Sequence, residues 1–176
     1  MSSTERMLAR RVMMVEPAVE QLMIEKLSGQ LHKAGHNANN STLVAVSSDY
    51  SSIVWQVLRH SLSYDGEVCE GFTVDVPYPD ERWTNKTSSK ILNACLSVEF
   101  KEHLILIEAG VIRGSNYRAL TDLLFVHYPD QNVITATLYE NVHSAFKSDF
   151  VAEYYDDTKS DLTFWWEVYN KHWAAA

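Results

Sequence analysis

Apolar positions in this chain alternate between helical and strand-like spacing. From Val15 to Leu31 they fall at 15, 19, 22, 23, 27 and 31, which predicts a helix with one buried face. Gly35 to Ser41 (GHNANNS) is a turn-rich break, and Thr42–Val46 is a short β run. Ser51-Ser52 offers a cap to a helix over Ile53–Leu62. Asp65-Gly66 predicts a turn, and Glu70–Val76 a second strand ended by Pro77 and Pro79. The stretch 76–87 (VPYPDERWTNKT) is polar and broken by proline, hence a loop. Ser88–Phe100 then reads as a helix, Leu104–Ile107 as the third strand and Tyr117–His127 as a further helix. Pro129-Asp130 breaks that helix, and Val133–Tyr139 is a fourth strand, β-branched at Val133, Ile134, Thr135 and Thr137.

The predicted order is a helix, three strand–helix units and a last strand. Such alternation predicts an α/β fold, a parallel sheet flanked by helices and wound right-handed. The expected organisation is a single domain over 1–176, with a helical region over 1–40, an α/β core over 41–140 and a distinct C-terminal part over 141–173. That part is crowded with aromatics and acids: Phe150, Tyr154, Tyr155, Asp156, Asp157, Phe164, Trp165, Trp166, Tyr169 and Trp173.

Composition narrows the partners. The net charge is −8, which argues against nucleic acid or an anionic membrane as the main partner, since both need clustered Lys and Arg. No apolar run reaches the roughly 20 residues that span a bilayer. The stretch Met7–Val15 is interrupted by Arg10 and Arg11 and lacks a signal-peptide core, so a cytoplasmic protein is expected. Cys69 and Cys95 fall inside predicted core elements and are expected to be buried thiols.

The chemistry concentrates in His103–Leu124. The buried run Leu104–Ile107 delivers an acid, Glu108, to a glycine-bearing turn with Gly110 and Gly114, and an amphipathic segment opens at Ser115-Asn116. Strand, acid, glycine turn and helix start together make an anion pocket in α/β proteins, because the free N–H groups of the helix's first turn face the ligand. Other chemistries lack their residues. No predicted helix carries a histidine pair at metal-ligand spacing, and there is no Cys-x-x-Cys, no Gly-x-Ser-x-Gly and no P-loop lysine.

The same stretch resembles the phosphoribosyl-pyrophosphate loop of the type I phosphoribosyltransferases. That loop has four apolar residues, two adjacent acids and a turn ending in Thr-Gly-x-Thr. Here the apolar residues are Leu104–Ile107 and the first acid is Glu108. Ala109 stands at the second acid, and the turn ends Arg113-Gly114-Ser115-Asn116. A second correspondence is Lys147-Ser148-Asp149-Phe150-Val151-Ala152 followed by Phe164-Trp165-Trp166, similar to the segment and aromatic hood of the purine-using members. The position of their base-reading lysine matches Asn141. A third is the turn after the first strand, where Ser47-Ser48-Asp49-Tyr50-Ser51 replaces the family's basic, glycine-rich pyrophosphate turn.

The resemblance implies a small C-terminal aromatic hood and a substrate pair of phosphoribosyl pyrophosphate and a purine base, with Mg²⁺. It implies that Glu108 holds the ribose, that Arg113, Gly114, Ser115 and Asn116 cradle the 5′-phosphate, and that Asn141 and Trp165 meet the base. Asp49 is a candidate metal contact. Each residue has a plainer reading. Ser115 or Asn116 is an ordinary N-cap, and Glu108 or Asp49 a turn residue. The loop carrying Arg82 and Lys86 is either a lid or an exposed loop. The hood aromatics form a small satellite core or a subunit interface, where Trp and Tyr are enriched, and a homo-oligomer is expected. Because several working residues are replaced, a second function class stands beside the enzyme: a catalytically inactive member kept as a nucleotide-binding or assembly module.

Overall fold

The computed structural model describes residues 11–47, 51–76 and 83–164. Its elements in chain order are β1 (Arg11–Val15), α1 (Pro17–Lys33), β2 (Ser41–Ser47), α2 (Ser51–Ser61), β3 (Gly71–Asp75), α3 (Asn85–Leu96), β4 (His103–Val111), α4 (Ser115–His127), β5 (Asn132–Asn141), β6 (Phe150–Tyr155) and β7 (Ser160–Phe164). Five strands form one sheet in the order β3-β2-β4-β5-β6, and every neighbouring pair is parallel. This is the α/β architecture that the alternation of elements predicts.

The unbroken apolar run of β4 follows from its place in the middle of that sheet. Leu104, Ile105, Leu106 and Ile107 have no solvent exposure, because a central parallel strand is covered on both faces. One face packs Ile105 and Ile107 against Leu27, Leu31, Val54 and Leu58 of α1 and α2. The other packs Leu104 and Leu106 against Ile91 and Cys95 of α3 and Leu120 and Leu124 of α4. Both cysteines are buried and free, and burial pushes each thiol up to about 11.

The helices depart from the sequence reading in detail. α1 starts at Pro17, whose ring suits a first turn where no N–H partner is needed. Its buried line is Glu20, Met23, Ile24, Leu27, Ser28 and Leu31, while Val19 and Leu22, expected inside, are exposed. The helix is turned so that Gln30 Nε2 donates to Val151 O (3.0 Å) and Lys26 pairs with Glu153 (3.0 Å), both on β6. α3 begins three residues earlier than expected, because Thr84 caps it by accepting from Thr87 N at 3.2 Å.

The larger correction concerns the chain ends. Phe150–Tyr155 is the fifth strand of the main sheet, and β7 pairs in parallel with β1 in a separate two-stranded sheet. β6 runs parallel to β5 after a connection, 142–149, that contains no helix. Parallel neighbours usually need a dozen or more residues between them; here side chains stitch the short crossover down. Asp149 Oδ2 accepts from Thr135 N (2.8 Å) and Thr135 Oγ1 (2.9 Å). Glu140, fully buried, accepts from Ser148 N at 2.7 Å, and its other oxygen lies 3.3 Å from Lys147 Nζ as an ion pair. Trp165, Trp166, Tyr169 and Trp173 lie outside the described residues, so the aromatic hood does too.

Candidate active site at the β4–α4 turn

β2 pairs with β3 on one side and β4 on the other, so the chain reverses its winding direction between β2 and β4. Open α/β sheets bind ligands in the crevice beyond the strands' carboxyl ends at such a reversal. β4 keeps company with β2 only to Ile107, opposite Ala45, and then runs on beside β5 alone from Glu108 to Val111. The turn therefore comes later than the sequence reading placed it. Gly110 is still in the strand, packed close to the Phe164 and Leu162 side chains, and the turn proper is Ile112–Gly114.

Gly114 sets the shape of the turn. Its φ of 73° and ψ of 13° are left-handed, and a Cβ there would stand 2.2 Å from Phe146 Cβ and 3.0 Å from Ser144 Oγ. Only glycine meets both demands. Gly114 also occupies the N-cap position of α4 and has no side chain with which to cap that helix. Ser115 and Asn116 are consequently its first two helical residues, not its caps. The first-turn N–H groups of a helix have no intrahelical partner, and the helix dipole favours an anion there. Beside them is a cavity of about 440 Å³ lined by Glu108, Gly110, Val111 and the turn 112–116. Glu108, Arg113, Gly114, Ser115 and Asn116, all singled out in the sequence, meet at this one cavity.

Glu108 is half-buried, and desolvation pushes its carboxyl up to about 8. At neutral pH it is largely a neutral acid, able to donate as well as accept. Ala109 is buried in the core shared with α1 and α2 and adds nothing to the cavity. Below the turn, Tyr117 is fully buried, with its hydroxyl 2.5 Å from Ala136 O and 3.2 Å from Leu106 O. It pins the first turn of α4 to β4 and β5. Thr137 Oγ1 lies 2.9 Å from Glu108 O and supports the strand behind the acid.

Outside the turn, Arg113, Arg118, Asp122 and Ala145 border a second hollow of about 350 Å³. The crossover residues Ser144, Ala145 and Phe146 form the back of this region, and sequence reasoning missed them. Their one signal was an isolated aromatic, Phe146, in an otherwise polar stretch. Asn141 is 2 % exposed, with its amide bonded to the backbone of Ile112, His143 and Asp157.

Among the described residues, His143, Asp156 and Asp157 bring potential metal-ligand atoms within 4.8 Å of one another. Asp156 is already engaged by Lys159 at 2.8 Å and by Thr158, and these hydrogen bonds hold its carboxyl well below the usual range. A cation there would have to displace the lysine. Asp49, Arg82 and Trp165 lie outside the described residues, and Lys86 is an exposed residue in the first turn of α3.

No protein-family model and no curated protein matches the sequence. Solved structures do match in three dimensions. The chain is similar to the xanthine-guanine-hypoxanthine phosphoribosyltransferase of Helicobacter pylori, with a TM-score of 0.63 and 14% identity over 93% of this chain and 98% of that one. It is similar to a purine phosphoribosyltransferase from Pyrococcus horikoshii Ot3, with a TM-score of 0.61 and 11% identity over 89% and 93% of the two chains. A hypoxanthine phosphoribosyltransferase from Staphylococcus aureus matches at a TM-score of 0.58 and 14% identity over 89% and 83%. With its five-stranded parallel sheet, its switch-point cavity and this likeness, the chain has the type I phosphoribosyltransferase-like fold.

Proposed function

We propose that this chain binds a phosphoribosyl group at the β4–α4 turn and is a divergent purine-type phosphoribosyltransferase. The observation that carries the reading is the uncapped start of α4, opened by Gly114 onto a cavity that also holds Glu108. The 5′-phosphate is received by the first-turn N–H groups, the Ser115 hydroxyl, the Asn116 amide and the Arg113 guanidinium. Glu108 meets the ribose hydroxyls, and a carboxyl that both donates and accepts suits a neutral diol.

In the reaction the bond from ribose C1 to pyrophosphate breaks and a bond from C1 to a base nitrogen forms. A bound Mg²⁺ would supply charge neutralisation for the departing pyrophosphate. Asp49 is the proposed carboxylate contact for that ion, and Trp165 the proposed stacking face for the base. A purine-type base is supported by the purine and hypoxanthine specificities named for the similar structures. A cytoplasmic homo-oligomer belongs to the same proposal. Among the described residues, no helix is long and apolar enough to cross a membrane.

Two observations favour the second reading, a catalytically silent module that binds nucleotides or assembles with partners. Ala109 is packed in the core, so the cavity has one acid where the family has two. The Asn141 amide is engaged by backbone groups. A steady-state assay with phosphoribosyl pyrophosphate, Mg²⁺ and a panel of purine bases separates the two. Turnover that is lost in Glu108→Gln supports the enzyme. Binding of GMP without turnover on any base supports the module.

A further inference from the structure

Asn141 ends β5, and its buried amide joins three separate segments of backbone. Nδ2 donates to Ile112 O at 3.2 Å, at the start of the anion turn. Oδ1 accepts from His143 N at 3.1 Å in the crossover, and from Asp157 N at 3.5 Å in the β6–β7 turn. Ile112 stands two residues before Gly114, and the same crossover wedges Phe146 and Ser144 against Gly114. One amide thus fixes both the entry to the turn and the residues packed behind it. Asn141 does not line the cavity itself.

We propose that Asn141 is a positioning residue: it holds the Ile112 carbonyl, and so sets where the first-turn N–H groups of α4 stand, without touching the ligand. This rests on the reading of that turn as a phosphate site. The physical reason is that a buried amide with its partners in place leaves the backbone around it one arrangement. Removing it leaves a carbonyl and two N–H groups to find new partners.

Two variants test it. Asn141→Leu removes the donor and the acceptor without adding charge. Asn141→Asp keeps the acceptor for His143 and Asp157 but gives up the donor to Ile112. Calorimetric titration uses ribose 5-phosphate, which has no base, and GMP, which has one. Amide exchange is followed at Arg118, whose N–H bonds Gly114 O at 3.0 Å, against Ile105 in the core of β4.

The positioning role predicts that Asn141→Leu weakens both ligands by the same factor, about five- to tenfold for one buried hydrogen bond. It also predicts that Arg118 exchanges faster while Ile105 does not. Weaker GMP binding with unchanged ribose 5-phosphate binding would overturn it, because Asn141 would then be reading the base. Unchanged Arg118 exchange, or an equal rise at Ile105, would overturn it too. If the wild-type chain binds neither ligand, the phosphate-site reading fails, and Arg118 exchange alone decides the role of Asn141. If Asn141→Leu does not fold, Asn141→Asp carries the same measurements.

Discussion

Glu108 ties the stability of the fold to pH. Its carboxyl is pushed from 4.5 to about 8 by burial, so between these values the folded chain holds a proton that the unfolded chain has released. Stability therefore falls as pH rises through this window and levels off above about 8. Glu108→Gln removes the ionisable group. Thermal or urea unfolding should show a flatter pH profile for Glu108→Gln, and at pH 9 a variant more stable than wild type by about 1–3 kcal/mol, after discount for solvent access. An identical pH profile for the two proteins would mean that the carboxyl is hydrated and ionises normally. Gly114 makes a second residue-scale prediction. Gly114→Ala places a methyl group in left-handed backbone and against Phe146 Cβ at 2.2 Å. A loss of about 2–4 kcal/mol in urea unfolding is expected from strain and overpacking together, with loss of ligand binding at the turn.

At the scale of elements, the crossover 142–149 is the unusual part, since it returns the chain to a parallel strand without a helix. Lys147 is half-exposed, but its partner Glu140 is fully buried. Lys147→Ala leaves that carboxylate with Ser148 N and no charge partner. Chemical unfolding should show a loss of about 1–3 kcal/mol, below the usual cost of breaking a fully buried pair because water reaches the lysine. Glu140→Gln combined with Lys147→Ala should recover part of it. No recovery in the double variant would mean that the lysine acts through packing alone.

This scale also shows what the sequence made legible. β2 to β5 announce themselves, because buried parallel strands are written as apolar or β-branched runs and their helices as periodic ones. β6 does not, because Phe150–Tyr155 lies at the sheet edge with Glu153 and Tyr154 both exposed, and is embedded in aromatics that suggest a separate cluster. β1 and β7 pair with each other across 149 residues of sequence, Arg11 opposite Ser160, and neither carries a local signal of that pairing. The apolar spacing of α1 predicts the helix, but Glu20 faces inward and Val19 outward, a rotation that goes with its contacts to β6. At the site, Glu108 and the turn 113–116 were visible from residue types in order. The burial that raises the acid and the wedge behind Gly114 were not, since both depend on residues 30 or so positions away.

At the scale of the whole molecule, a crevice with an acid and a glycine-opened helix start lies at the reversal of sheet winding. Beneath it, Tyr117 ties α4 to β4 and β5, Asp149 and Glu140 tie down the crossover, and Asn141 joins the turn to that crossover. That design suits a ligand with a phosphate at one end and hydroxyls beside it. The most direct test is isothermal titration calorimetry of the purified chain with phosphoribosyl pyrophosphate, with and without Mg²⁺, and with GMP and IMP alongside. The site described here predicts saturable binding in the micromolar range that tightens with Mg²⁺ for the pyrophosphate compound and weakens in Gly114→Ala. No heat with any of the three at millimolar ligand would contradict it, and the fold would then have kept the shape of the site without its use.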